Sequence, residues 1–104
     1  MTQGTTPDFN IYLNNKSIKY SDIQIVYVTL KQKDIEVTHN SDESCVSIDP
    51  ANKCVTFRME EKESLMFKEG EAELQVRIKY KNNNVFASVV KRVPVDRVLN
   101  KEVI

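Results

Sequence analysis

Residues 71–95 constrain the fold of this chain more than any other segment. In residues 71–80 apolar and polar side chains alternate, which is typical of a β-strand with one buried and one solvated face. The apolar set is Leu74, Val76, Ile78 and Tyr80. Residues 82–84 are three asparagines, which tolerate the positive φ angles of tight turns. The sequence therefore predicts a long antiparallel hairpin.

Further strands are predicted before this hairpin, in residues 8–13, 23–31, 35–38, 44–48 and 53–59. Residues 23–31 have apolar side chains at both odd and even positions, and β-branched residues dominate. We therefore expect this strand to be buried on both faces or nearly so.

The connections between these strands carry turn residues. Asn14, Asn15 and Lys16 turn the chain after the first strand, and Ile18 or Tyr20 is expected to plug the core from the connection that follows. A tight turn at residues 33–34 joins the next two strands.

The two cysteines lie on either side of a predicted turn. Residues 49–52, Asp-Pro-Ala-Asn, suit a type I turn. If the middle two residues form the loop, Ser47 lies opposite Cys54, and Cys45 lies diagonal to Cys54 at about 7–8 Å between Cα atoms. That separation is beyond disulfide reach, and a reducing compartment also disfavours the bond. We expect two free, buried thiols.

Residues 60–69 break the alternation. They are mostly helix formers with acids early, and Gly70 stands where a C-terminal cap would lie. The segment predicts one or two helical turns across the end of the sandwich, with Leu65 and either Phe67 or Met66 buried beneath.

The fold class follows from the number and spacing of these elements. We predict an all-β, immunoglobulin-like antiparallel β-sandwich of about seven strands with one short crossover helix. Residues 1–104 form one domain, with an extended N-terminal segment at residues 1–7 and a C-terminal tail at residues 95–104, either a short helical turn or a docked extension. A chain of this length can bury a hydrophobic core that is stable without disulfide bonds or a bound metal.

Charge and hydropathy exclude several functions. Fifteen basic and fifteen acidic residues cancel, so no global field attracts nucleic acid or an anionic membrane. No apolar run approaches the roughly 20 residues that span a bilayer. Residues 1–7 lack a basic region followed by an apolar stretch, so we expect no secretion signal and synthesis in a cytoplasm.

The sequence contains few residues that could form a catalytic, metal-binding or phosphate-binding site. His39 is the one histidine, and we interpret it as a loop residue without a task. Zinc sites need three or four His or Cys ligands, and the three such side chains here include no close pair. No glycine-rich phosphate loop is present. We therefore expect a protein that is not an enzyme and has no cofactor, no metal and no small-molecule substrate.

The return strand of the hairpin has apolar side chains on both faces. One face carries Val85, Ala87 and Val89, and the other carries Phe86, Ser88 and Val90. Because only one face can point inward, the other is exposed or covered by another element or chain. We favour a cover of this second face by another part of the same chain over a contact with a second subunit. The candidate cover is the tail, through Val98, Leu99, Val103 and Ile104.

Three stretches together resemble a known group of proteins. Gln3-Gly-Thr-Thr-Pro7 followed by Phe9 resembles the opening of small proteins encoded among the tail genes of phages and prophages of low-GC Gram-positive bacteria. It more distantly resembles the N-terminal module of upper-baseplate and receptor-binding tail proteins. Residues 65–70 running into residues 72–78 resemble their helix, glycine and strand. Residues 95–104 are similar to their closing segment, whereas the region of the two cysteines departs from the group.

This resemblance implies a non-enzymatic sandwich that docks on other virion or tail proteins, assists tail assembly or self-associates. It implies residence in the bacterial host cytoplasm and then in the virion. The termini and the unpaired hairpin face are the expected contact surfaces. The candidate contact residues are Gln3, Thr5, Thr6, Tyr12, Tyr80, Phe86, Val90, Leu99 and Ile104.

Two other functions stay open on the sequence. A carbohydrate-binding module would stack sugars on exposed aromatic rings, here Tyr12, Tyr27, Tyr80 or Phe86. A weaker alternative is an enzyme that uses His39, or a nucleic-acid binder that uses the basic residues of the hairpin.

Overall fold

The computed structural model describes residues 1–13, 15–88 and 90–104, and it forms two antiparallel β-sheets. The strands in chain order are β1 (Asp8–Tyr12), β2 (Ile23–Gln32), β3 (Ile35–Asn40), β4 (Val46–Asp49), β5 (Cys54–Arg58), β6 (Gly70–Tyr80), β7 (Val85–Ala87) and β8 (Lys91–Val95). One α-helix, α1 (Glu61–Met66), and a 3-10 turn (Tyr20–Asp22) complete the elements found among these residues.

The strand order is that of an immunoglobulin-like sandwich. One sheet has the order β1-β5-β4, and the other has the order β3-β2-β6, with both β7 and β8 paired to β6. These orders correspond to strands B-E-D and C′-C-F-G of the immunoglobulin fold. The predicted fold class is therefore confirmed. The described residues contain eight strands instead of about seven because the return strand of the long hairpin is divided into β7 and β8.

The core lies between the two sheets. Val26, Val28 and Leu30 of β2 are fully buried, and they pair across the sheet with the inward residues of β6. Tyr27, which points the other way, is 39% exposed. The prediction that this strand is buried on both faces is wrong, because no described element covers the outer face of the sheet. Ile18, from the connection before β2, is buried as predicted.

Phe57 is the central side chain of the three-stranded sheet. It is 1% exposed, and its ring lies 5.9 Å from that of Phe9 and 5.5 Å from the imidazole of His39. Burying such a ring contributes about 1.5–3 kcal/mol to folding. The contact with His39 brings a residue of the five-stranded sheet against the opposite sheet.

The hairpin of β4 and β5 has a different register from the predicted one. Asp49 pairs with Cys54, and Ser47 pairs with Thr56. The prediction that placed Ser47 opposite Cys54 is wrong, because residues 50–53 all belong to the loop and Lys53 closes it at a φ angle of 54°. Cys45 therefore lies beside Arg58, whose backbone N–H donates to the Cys45 carbonyl at 3.0 Å, and not diagonal to Cys54.

The helix crosses between the sheets from β5 to β6, and its six residues form between one and two helical turns, as predicted. It ends at Met66, and Phe67 already has extended backbone angles. Gly70 does not cap the helix as predicted. It begins β6 at a φ angle of 138°, which favours glycine. Of the side chains expected beneath the helix, Phe67 is fully buried and Met66 is half exposed.

The chain termini run side by side. Thr2 forms a parallel bridge with Asp96, and the Gln3 side chain is buried beneath them. Gln3 donates from Nε2 to the Phe67 carbonyl at 2.5 Å and accepts from the Val98 backbone N–H at 3.1 Å. One amide thus joins the N-terminal segment, the tail and the end of α1.

The tail is a docked extension without helical structure, and it does not cover Phe86. Val95 pairs with Gly70, and the backbone N–H of Ile104 donates to Glu61. Phe86 pairs with Ile78, eight residues further along β6, or about 26 Å at roughly 3.3 Å per residue. The prediction of a tail cover is therefore wrong. Asn14 of the predicted turn and Val89 of the predicted return strand lie outside the described residues.

Replacing Gln3 with alanine should lower the free energy of unfolding by about 1–3 kcal/mol, because it leaves the Phe67 carbonyl and the Val98 N–H without their partner. Equilibrium urea unfolding followed by circular dichroism measures the change. Thr6→Ala, at an exposed neighbouring position, is the control and should stay within about 0.5 kcal/mol of the parent. Equal unfolding midpoints for the Gln3 variant and the parent would contradict the role of this amide.

Candidate functional site

A groove of about 460 Å³ lies where the edges of the two sheets meet. β1 lines one side, and β7 with the start of β8 lines the other. Ile11 and Leu13 are buried at its base, while Tyr12 at its rim is 53% exposed. Phe86 is half-buried and packs against the core from the opposite side. The alternation of β1 produces this arrangement, because it turns Ile11 inward and Tyr12 outward.

The charged residues of the groove are both basic. Lys16 follows β1, Lys91 begins β8, and both side chains are exposed. The groove therefore has an apolar base between two cationic rims.

The structure brings together only some of the predicted contact residues. Tyr12 and Phe86 share the groove. Val90 lies on the outer face of the five-stranded sheet beside Thr29 and Gln75, so the prediction that it shares a face with Phe86 is wrong. The pairing with β6 shifts by one residue between β7 and β8. Tyr80 is half-buried at the far end of β6.

The remaining predicted contacts belong to the terminal segments. Thr5, Thr6, Leu99 and Ile104 are exposed there, and Leu99 is 92% exposed. Gln3 is buried and its amide is used within the chain, so it offers no surface to a partner.

A second cluster of polar side chains lies at the end of β3 and in the turn that follows. His39 donates from Nδ1 to Glu43 Oε2 and from Nε2 to Glu63 Oε2, the latter at 2.6 Å. Cys45 Sγ lies 3.8 Å from the same oxygen of Glu43. Glu63 belongs to α1, so the cluster joins the helix to the turn between β3 and β4.

The ionisation of this cluster reflects its contacts. Burial opposes the charge on His39, but hydrogen bonds to Glu63 and then Glu43 outweigh it and raise the pKa of His39. The hydrogen bond from His39 lowers the pKa of Glu43. Burial, followed by the charge of Glu43, raises the pKa of Cys45.

His39, Glu43 and Cys45 could hold a metal ion, since one ligand atom from each lies within 4.8 Å of the others. The sequence interpretation missed this cluster. The prediction that His39 lies in a loop is wrong, because His39 is in β3 and its ring packs on Phe57. A zinc-site pattern made of His and Cys alone does not include this cluster, because one of its three candidate ligands is Glu43. The spacing of His39, Glu43 and Cys45 around one turn was the available signal.

Both cysteines are free, as predicted. Cys54 is 4% exposed in β5, and burial raises its pKa. Cys45 is partly exposed in the turn before β4, so the prediction that both thiols are buried is wrong for Cys45. The register, with Cys45 beside Arg58, separates the two thiols along β5.

Comparisons of the chain with models of protein families, with curated proteins and with solved structures give no match. Within the described residues, no helix is both long enough and apolar enough to cross a bilayer.

In the native protein, iodoacetamide should modify Cys45 faster than Cys54, because Cys54 is almost fully buried. Cys54 should react only after unfolding, when both thiols become equally accessible. Mass spectrometry of proteolytic fragments after timed labelling separates the two sites. Faster labelling of Cys54, or no labelling of either residue after unfolding without a reductant, would contradict this arrangement.

Proposed function

We propose that this protein is a non-enzymatic structural or accessory component of the tail or baseplate region of a phage or prophage, and that it acts by binding other tail proteins. The resemblance of residues 3–9, 65–78 and 95–104 to such proteins supports the setting. It also supports residence in the bacterial host cytoplasm and then in the virion. The groove between the edges of the two sheets supports the mode of action, and it is the observation that carries the proposal.

The borders of the groove suit an extended polypeptide. β1 is an edge strand of its sheet, and β7 and β8 form an edge of the other. An edge strand has backbone N–H and C=O groups on its open side that can pair with another strand. Recognition by strand addition uses these groups for affinity and side-chain pockets for specificity.

The side chains of the groove define the partner further. Its apolar base, with Phe86 and the inward residues of β1, suits apolar side chains at alternate positions. Lys16 and Lys91 at the rims favour acidic residues beside them. Tyr12 is the exposed aromatic anchor, a residue type that is enriched among the strongest contacts of interfaces. The occupant is an extended, partly acidic segment of another tail protein.

Self-association through this edge is the less favourable alternative. β7 has only three residues, and β8 carries Lys91, Arg92 and Pro94. Short strands, basic side chains and proline at an edge all discourage pairing between identical edges. A different chain with a complementary charge avoids this repulsion.

A carbohydrate-binding module is the second candidate function. The supporting observation is the exposed ring of Tyr12, with Asn15 and Lys16 beside it as hydrogen-bonding groups. Tyr27 and Tyr80 lie elsewhere, so any sugar platform would centre on Tyr12. Binding on an array of cell-wall glycans that disappears in Tyr12→Ala would support this function, and absence of binding would remove it.

Tyr12→Ala should weaken binding to a tail protein encoded beside this gene by about 30-fold, which corresponds to the roughly 2 kcal/mol of a strong interface anchor. Lys91→Glu should weaken it further by repelling the acidic partner. Surface plasmon resonance with each purified neighbouring tail protein measures the affinities, and size-exclusion chromatography with light scattering reports self-association.

Tyr27→Ala is the matched control, since Tyr27 is also an exposed tyrosine but lies on the outer face of the five-stranded sheet. It should bind as the parent does. A strict monomer that captures none of the neighbouring proteins, or equal losses in the Tyr12 and Tyr27 variants, would contradict the proposal.

A further inference from the structure

We infer that His39, Glu43 and Cys45 form a binding site for one divalent transition-metal ion of the zinc type, with Glu63 as the residue that positions His39. The inference does not depend on the proposed function, because the cluster lies at the turn after β3 and none of its members lines the groove.

The distances suit a single ion. The three ligand atoms, His39 Nδ1, a Glu43 carboxylate oxygen and Cys45 Sγ, lie within 4.8 Å of one another. Glu43 Oε2 and Cys45 Sγ are 3.8 Å apart. In a tetrahedral zinc site with bonds of about 2.3 Å to sulfur and 2.0 Å to oxygen, these two atoms would be about 3.5 Å apart. The Glu43 oxygen and Cys45 Sγ therefore need to move little to admit the ion. His39 Nδ1 and Glu43 Oε2, which are in direct hydrogen-bond contact, must separate to about 3.3 Å.

The donor atoms select the class of metal. An imidazole nitrogen, a carboxylate oxygen and a thiolate sulfur together suit zinc and neighbouring transition metals. Calcium and magnesium ions prefer sites in which every ligand is an oxygen atom, so a site with a thiolate does not suit them. Glu43 has a 42% exposed side chain, so solvent can supply the fourth ligand.

Glu63 is placed as the carboxylate that accepts a hydrogen bond from the ring nitrogen of His39 that does not bind the metal. It accepts the Nε2 proton of His39 at 2.6 Å, which directs Nδ1 toward Glu43 and Cys45. Such carboxylate–histidine pairs fix the tautomer and orientation of metal-binding histidines. Glu63 is itself held, because its Oε1 accepts the backbone N–H of Glu60 at 3.2 Å. Phe57 packs against the imidazole ring and restrains it further.

The turn that carries the ligands is also held by hydrogen bonds. The backbone N–H of Glu43 donates to the Asn40 carbonyl at 3.0 Å, and the Val46 N–H donates to the Glu43 carbonyl at 3.3 Å. The ligands are thus placed by a closed turn within seven residues. When the ion enters, it replaces the hydrogen bonds that Glu43 accepts from His39 and Cys45, and the protons of Nδ1 and Sγ pass to solvent.

Titration of the untagged, chelator-treated protein with Co²⁺ tests the site. We expect one equivalent to bind with visible d–d absorption and a near-ultraviolet thiolate-to-cobalt charge-transfer band, and Zn²⁺ to displace it. Cys45→Ser should remove the charge-transfer band. Cys54→Ser is the matched control, because it removes the buried thiol of β5, and it should leave the spectrum unchanged.

Glu63→Gln tests the positioning role. It should retain the charge-transfer band at saturating Co²⁺ but weaken Zn²⁺ binding by about 10- to 100-fold, as measured by competition with a chromophoric chelator. Circular dichroism of each variant verifies that it is folded. No charge-transfer band in the parent, a band that persists in folded Cys45→Ser, or an equal loss in Cys54→Ser would overturn the site. Unchanged Zn²⁺ affinity in Glu63→Gln would overturn the role of Glu63.

Discussion

Most of this structure depends on one contact between the two sheets. The inner face of β2 and β6 packs against the face of the opposite sheet that carries Phe57. Val26, Val28 and Leu30 pair along the sheet with Ile78, Val76 and Leu74, and all six are buried or nearly so. Because these side chains occur at every second position, the intervening residues face solvent. The same alternation turns Tyr12 outward at the groove, so the surface follows from the core.

The elements with a regular alternation were predictable from the sequence. The long hairpin and the overall sandwich follow from the period of residues 71–95 and from the number of strands. The wrong predictions concern features that the local sequence pattern does not determine, namely the burial of a strand face and the register of a hairpin. Whether the outer face of β2 is covered depends on the rest of the fold. At the hairpin of β4 and β5, Asp49 and Pro50 suited a tight turn, but Lys53 adopts a positive φ angle and lengthens the loop to four residues, which shifts the register.

The candidate sites could be predicted only in part, because each combines distant parts of the chain. The alternation pointed to Tyr12 and Phe86, the two aromatic residues of the groove, but the meeting of β1 with β7 and β8 is a tertiary feature. His39 and Glu63 are 24 residues apart and meet only because α1 crosses the end of the sandwich. Gln3 was predicted to be a surface contact, but the structure buries it. A polar residue near a terminus suggests exposure, yet the bonds to Phe67 and Val98 make its burial favourable.

The side-by-side chain ends have a mechanical consequence. The Met1 ammonium donates to the Pro94 carbonyl at 2.7 Å, the Asp96 N–H donates to the Met1 carbonyl at 2.8 Å, and the Gln3 N–H donates to the Asp96 carbonyl at 3.0 Å. Because these segments are parallel, a force that pulls the two ends in opposite directions acts along the strands. The load is then shared by the whole row of bonds in shear, instead of breaking them one at a time.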